Sequence, residues 1–333
     1  MKDGKIVIDS HSHIGIDMIH GETDVNEYII FADNQGIDYS FLMPVPAPVI
    51  NSKRVLYWNY SNEFCYRSDF ANLQQNGFYS PYEVANDYYD KKIKELNTKR
   101  ISFVPLIHPK LDDYNSLMRL YEKYNPTALK IHGVSAGAGP NDVNIGIIKF
   151  LRENNIPLIL HTDFDNNLEN GSGVSTTRRI NSPKDWASFI IENNLKAILN
   201  HGARLDLETF ALVNGSNNLT VAIGPEVLMM TEPSRLMIEP SLLKQHGYLG
   251  VIKKYLDIDK IIFDIDYNWN TLSLENRTLD YDSLNRVTQI FNENEAKQVF
   301  SSNLVNFFNL KELSHNFGET KGISVNNKGV EER

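Results

Sequence analysis

The feature that most constrains this chain is a recurring junction: a short apolar run suited to a β-strand, closed by a histidine or an aspartate. Residues 6–13 read IVIDSHSH, 157–161 read PLILH, 196–201 read KAILNH and 260–266 read KIIFDID. Stretches with apolar residues at helical spacing separate these runs, and strands alternating with helices favour a parallel sheet with helices packed outside it. In the first run, strand alternation places Asp9, His11 and His13 on one face. Two imidazoles one residue apart at a strand end can grip one metal ion, although the pair alone is a weak signal.

The same alternation continues along the chain. Strands are expected at 6–13, 39–43, 101–106, 128–131, 157–161, 196–200, 219–223 and 260–266. Helices are expected at 25–34, 81–96, 113–124, 144–154, 182–194, 206–213 and 241–255, the last broken at Gly247 or Gly250, with two closing helices in 283–310. Ser80-Pro81-Tyr82-Glu83 and Ser182-Pro183-Lys184-Asp185 read as helix starts, an N-cap serine before proline, with Glu83 placed to close a capping box. Eight strands, each followed by helix, is the count of an α/β fold of the (β/α)8 or TIM-barrel type. One stretch fits no period: 49–80 is rich in aromatics, among them Tyr57, Trp58, Phe64 and Tyr66. This insertion after strand two is read as a small helical cap on the barrel or as a surface for a second copy, a homodimer. Residues 1–311 form one domain in this reading, and 312–333 a polar tail without periodicity.

Composition removes several classes of function. The net charge of −9 leaves no basic field to replace the counterions of a nucleic acid. No stretch is long and apolar enough to span a bilayer, and no apolar leader follows Met1. The single cysteine, Cys65, excludes an internal disulfide and suits a reducing cytoplasm. A small-molecule substrate is the expected partner.

In a barrel, residues at the carboxyl ends of the strands converge on one mouth. Strand one brings His11 and His13 there, strand five His161, strand six His201, and strand eight Asp264 or Asp266. Three neutral imidazoles and a carboxylate make a mixed nitrogen and oxygen shell that suits zinc, and also manganese or iron.

At these residues the chain resembles the amidohydrolase superfamily, in the amidohydrolase-related branch that includes aminocarboxymuconate-semialdehyde decarboxylase, related aromatic-acid decarboxylases and some lactonases. The likeness spans roughly residues 5–311. It rests on D-x-H-x-H at Asp9 to His13, K-x-H at Lys130 and His132, and the strand ending on His161 after Pro157. It continues with Ser182-Pro183 leading to Asn200-His201-Gly202, and with Ser302-Asn303-Leu304-Val305-Asn306-Phe307-Phe308 in the closing helix. Strand eight departs from the branch's F-G-S-D-Y-P: here Asp264 stands for the glycine, Ile265 for the serine and Asn268 for the proline.

The resemblance implies one divalent metal ion, Zn2+ with Mn2+ or Fe2+ as alternatives, held by His11, His13, His161 and Asp266. It implies that His201 acts as general base or acid beside a metal-activated water, with Asp266 also part of the chemistry. Lys130 has three readings: a carbamylated bridge between two metals, a cation orienting a substrate carboxylate, or an ion pair with Asp9 or Asp264. Asp264 is expected deeper in the barrel than Asp266. Arg178, Arg179 and Arg204 lie in loops after strands five and six, where they are read as contacts for an anionic substrate or as solvated surface. His108 and His132 are read as structural strand-end histidines, with facing the mouth as the alternative for His132. The leading function is hydrolysis of an amide, lactone or related bond. The alternative is non-oxidative decarboxylation of an aromatic or unsaturated acid. A non-catalytic binding barrel is the third reading, disfavoured by the complete ligand set. A TatD-type nuclease is also disfavoured, because Lys130 stands where that group has a glutamate.

Overall fold

The structure, a computed structural model, describes residues 5–17, 21–46, 49–50, 54–59, 64–69, 77–162, 181–224, 236–267 and 283–310. Arg178, Arg179, Asn268 and the 312–333 tail lie outside the described residues.

The strands are β1 (Ile8–Asp17), β2 (Gly21–Thr23), β3 (Tyr39–Pro44), β4 (Val49–Ile50), β5 (Arg54–Asn59), β6 (Phe64–Asp69), β7 (Ile101–Phe103), β8 (Leu106–Ile107), β9 (Leu129–Ile131), β10 (Leu158–Leu160), β11 (Ala197–Leu199), β12 (Leu219–Ala222) and β13 (Ile261–Ile262). One sheet has the order β2-β1-β3-β7, parallel except for the antiparallel β2. A second, all-parallel sheet has the order β13-β12-β11-β10-β9-β8. Backbone hydrogen bonds meet at both joins between the sheets. On one side Val104 N donates to Leu42 O (2.8 Å) and Lys130 N to Pro105 O (2.9 Å). On the other, Ser10 N donates to Phe263 O (3.2 Å), Asp266 N to His11 O (2.9 Å) and His13 N to Tyr267 O (3.3 Å).

The strands of the parallel sheets are largely apolar on both faces because both are covered. Ile159 points inward to a cluster with Ile8, Phe41, Met43, Ile198 and Ile262. Its neighbours Leu158 and Leu160 point outward to the helices, packing in the same cluster as Leu117, Phe150 and Trp186. Helix Asn303–Phe308 plugs the inner cluster, with Leu304 inside it and Phe308 stacked on Phe41 at 5.1 Å.

Three local features differ from the sequence reading. First, Asp9, His11 and His13 do not share a face. A bulge between Asp9 and Ser12 shifts the β1–β3 register, setting Asp9 opposite Ser40 and His13 opposite Met43. Met43 belongs to the inner cluster, and Asp9 turns outward to bond Tyr28 of helix Val25–Gln35. An extra residue in a strand inverts the alternation beyond it, which periodicity cannot foresee.

Second, the described parts of 49–69 are an antiparallel sheet, β4-β5-β6, where helices had been expected. Tyr57 pairs with Tyr66 and Trp58 with Cys65 across it, the aromatic and alternating content that favours strands.

Third, Ser80 does not cap a helix. Helix Glu83–Glu95 begins after Tyr82 without a side-chain cap, and Ser80 Oγ donates to the buried Asp112 carboxylate at 3.0 Å. By contrast Ser182 caps helix Pro183–Glu192 as expected, and the break in the late helix falls at Gly247. No described helix is long and apolar enough to cross a membrane.

Candidate metal centre and catalytic site

Strand β1 delivers two imidazoles, His11 from within the bulge and His13 from just beyond it. His11 Nε2 and His13 Nε2 stand 3.0 Å apart, both rings essentially buried. After β13 the chain returns to β1, and Asp266 adopts a left-handed backbone (φ 53°) that turns its carboxylate toward them. Asp266 Oδ1 lies 3.7 Å from His11 Nδ1 and 3.9 Å from His13 Nε2. His11, His13 and Asp266 thereby offer one donor atom each within 4.8 Å of one another, the one such group among the described residues.

Behind this cluster the clamp is Asp9, on β1 itself. Fully buried, it accepts from Tyr28 Oη (2.7 Å), Ser12 Oγ (2.5 Å), His11 N (3.2 Å) and Ile265 N (3.0 Å). Ser12 Oγ in turn accepts from Tyr267 N at 3.0 Å. The backbone carrying Asp264 and Asp266 is thus pinned to β1 from the outer face of the sheet. Burial is the main reason the Asp9 carboxyl is pushed above the usual carboxylate range.

His201 enters from the end of β11 on an unusual turn. His201, Gly202, Ala203, Arg204 and Leu205 all have φ between 45° and 60°. A left-handed turn costs an L-residue about 1–2 kcal/mol, and four of these five are not glycine. The surroundings enforce it: a Cβ on Gly202 would fall 2.1 Å from Tyr248 Oη, and Ala203 and Leu205 are completely buried. Strain held in place this way is a mark of functional sites. It aims His201 inward, with Nδ1 3.7 Å from Asp266 Oδ2 and Nε2 2.8 Å from His161 Nδ1.

His161 stands one ring further out. It meets His201 at 4.5 Å between ring centroids and stacks on His132 at 3.8 Å, and it is not part of the compact three-residue group. His132 Nδ1 accepts from Ser135 N (3.2 Å) at the start of helix Gly133–Ala136. His108 likewise sits in local bonds, with Nδ1 accepting from Lys110 N and Leu111 N.

Two cations share this buried space. Lys130, fully buried on β9, places Nζ 3.0 Å from His11 Nε2. Arg204, 2% exposed, donates from Nε to Thr162 O at 3.1 Å. Of the three readings of Lys130, an ion pair with Asp9 has no support among these contacts, since the donors on Asp9 are hydroxyls and backbone amides.

The electrostatics favour neutral imidazoles. Burial, then the Lys130 charge, holds His11 far below its usual range and pushes His13 down to about 3. His201 is also held well below, by burial and then by His161. Desolvation drives Lys130 down and Asp266 up, each opposed by the other's charge. The tautomer of His13 follows from its partner: Nδ1 lies 3.1 Å from the Pro44 carbonyl, which only accepts, so Nδ1 carries the proton and Nε2 keeps its lone pair. His201 Nδ1 and Asp266 Oδ1 are buried and without a hydrogen-bond partner among the described residues, beside the Nε2 atoms of His11 and His13. Such a set of unsatisfied nitrogen and oxygen donors fits a divalent cation.

Sequence reasoning missed Asn200. It lies between the end of β11 and His201, is fully buried, and neither side-chain polar atom has a partner among the described residues. Inward parity two residues after Ile198 was the available signal.

No protein-family model and no curated protein matches the chain. Solved structures share its fold. A probable 2-pyrone-4,6-dicarboxylic acid hydrolase from Acinetobacter baumannii, with citric acid bound, superposes with a TM-score of 0.54 at 14% identity, over 91% of this chain and 99% of that one. The 5-carboxyvanillate decarboxylase of Sphingomonas paucimobilis gives 0.56 at 12% identity, over 92% and 99%. An amidohydrolase from Burkholderia multivorans with bound zinc gives 0.54 at 12% identity, over 91% and 99%. The fold is therefore that of the proteins the sequence blocks resemble, while identity at this level carries no activity across.

Proposed function

We propose that this chain is a metal-dependent enzyme of the amidohydrolase type that hydrolyses an amide, lactone or related bond of a small molecule. The observation that carries the reading is the buried convergence of His11, His13 and Asp266. In this reading those three residues hold one divalent ion, zinc or a similar metal, with His161 as the fourth. The ion would supply Lewis acidity to a water and to the substrate's polarised oxygen. The rest of the work falls to the chain's own side chains. His201 is neutral at rest, so it accepts a proton first and returns it to the leaving group afterwards. Asp266 Oδ2, 3.7 Å from His201 Nδ1, stabilises that ring once it is charged. Lys130 and Arg204 orient an anionic group of the substrate, and Arg178, outside the described residues, is proposed for the same role.

The hydrogen bonds at both joins between the sheets support a closed eight-stranded barrel with this site at its carboxyl-end mouth. The β4-β5-β6 sheet follows strand two as an insertion.

Decarboxylation is the second reading. What favours it is Lys130, a buried cation 3.0 Å from His11 Nε2, where a substrate carboxylate could be paired and lost. In that case the same histidine at 201 protonates the carbon. One assay separates the two: zinc-loaded protein is incubated with lactones, N-acyl amides and carboxylated phenols, with acid release and CO2 release followed in parallel. Acid release from a lactone or amide is the expected outcome. CO2 release alone would replace the hydrolase reading with its rival. A purified protein that binds no divalent metal would overturn both.

A further inference from the structure

Asp264 stands where the resembling strand-eight block has glycine, so the family pattern assigns this carboxylate nothing. It is 1% exposed and cannot reach water. Its Oδ1 accepts from Gly224 N. That approach depends on glycine, since a Cβ at 224 would fall 2.6 Å from Asp264 O and 2.8 Å from its Oδ1. The other oxygen, Oδ2, has no hydrogen-bond partner and lies 3.5 Å from His11 Nδ1, itself buried and without one among the described residues.

The opposite edge of the His11 ring explains why this matters. His11 Nε2 faces His13 Nε2 and Lys130 Nζ, each at 3.0 Å. For both imidazoles to present Nε2 lone pairs to one cation, both must carry their proton on Nδ1. His13 gives that proton to the Pro44 carbonyl. His11 needs an acceptor of its own, and two carboxylates are near: Asp264 Oδ2 at 3.5 Å and Asp266 Oδ1 at 3.7 Å. Asp266 also reaches His13 Nε2 and His201 Nδ1, which sets it on the cation side. Asp264 has no such second contact.

Resting on the metal-site reading above, we infer that Asp264 is a positioning residue: its carboxylate takes the Nδ1–H of His11, fixing the ring and tautomer that present Nε2 to the metal. A carboxylate behind a ligating imidazole raises its basicity and locks its orientation, and loss of such a partner typically costs 10–100-fold in metal affinity.

The test uses the full chain with Asp264→Asn and Asp264→Gly. Zinc affinity is measured by competition with a chromogenic chelator. In parallel, the Nδ1–H resonances of 15N-histidine-labelled protein are recorded with and without zinc, His11 being assigned by its loss in His11→Gln. Expected are a 10–100-fold weaker zinc affinity in Asp264→Gly, a smaller loss in Asp264→Asn, and a shifted or vanished His11 Nδ1–H signal in both. The His13 signal, held by Pro44, should persist. Should the glycine variant fail to fold, the near-isosteric asparagine carries both readouts. Zinc affinity within about twofold of wild type in the variants, or an unmoved His11 signal, overturns the inference. Wild-type protein that takes up no zinc would instead sink the metal reading, and the zinc-free spectra would still decide whether Asp264 holds His11.

Discussion

Asp9→Ala should destabilise the fold by about 3 kcal/mol, and Asp9→Asn by about 1 kcal/mol. The difference follows from what each of the four donors on Asp9 can do next. The Tyr28 hydroxyl is also 2.6 Å from Ser40 Oγ, and Ser12 Oγ already accepts from Tyr267 N, so both hydroxyls keep a partner. The backbone N–H groups of His11 and Ile265 have no substitute in a dry site, and each unsatisfied buried donor costs about 1–3 kcal/mol. Two such groups give about 2–6 kcal/mol, reduced because alanine also removes a carboxylate whose own burial is unfavourable. Asparagine keeps an acceptor for the two amides, and its NH2 group can donate to hydroxyls that reverse their roles. Urea unfolding followed by far-UV circular dichroism measures both, with the midpoint falling and the slope unchanged. Equal costs for the two variants, or less than about 0.5 kcal/mol for alanine, would show that Asp9 is not the clamp joining strand one to the Asp264–Asp266 backbone.

Two further outcomes are expected. His161→Asn should purify with little or no metal, whereas His201→Asn should keep metal near wild type and lose ~10²–10⁴-fold in turnover. Elemental analysis checks the first half, and a metal-free His201 variant would make that residue a ligand. Asp112 is fully buried, and desolvation raises its carboxyl to about 7. A raised folded pKa means a contribution complete below the unfolded value of 3.8 and lost as pH rises to about 7. Between pH 5 and 7 wild type should therefore lose on the order of 2 kcal/mol relative to Asp112→Asn, at about 1.4 kcal/mol per pKa unit. Urea titrations at the two pH values read this directly, and parallel curves for the two proteins would refute it.

The alternation of strand and helix was legible in the chain because the parallel strands are buried on both faces and the helices packed on them on one, so burial writes its period into local sequence. Residues 158–160, 197–199 and 219–222 form strands close to where their apolar runs lie. The histidines were legible for a related reason: a polar residue closing an apolar strand stands out against the run that burial imposes before it. Four features depended on contacts between residues far apart in sequence. The bulge that turns Asp9 away from His13 is set by pairing with β3. Ser80 is drawn off its helix by Asp112, thirty-two residues on. The left-handed turn at 201–205 exists only because buried neighbours such as Tyr248 hold it. The different surroundings of Asp264 and Asp266 arise by the same means. Two aspartates two residues apart look alike in a sequence, and they acquire different partners only when Gly224, His11, His13 and His201 close around them from three other segments of the chain.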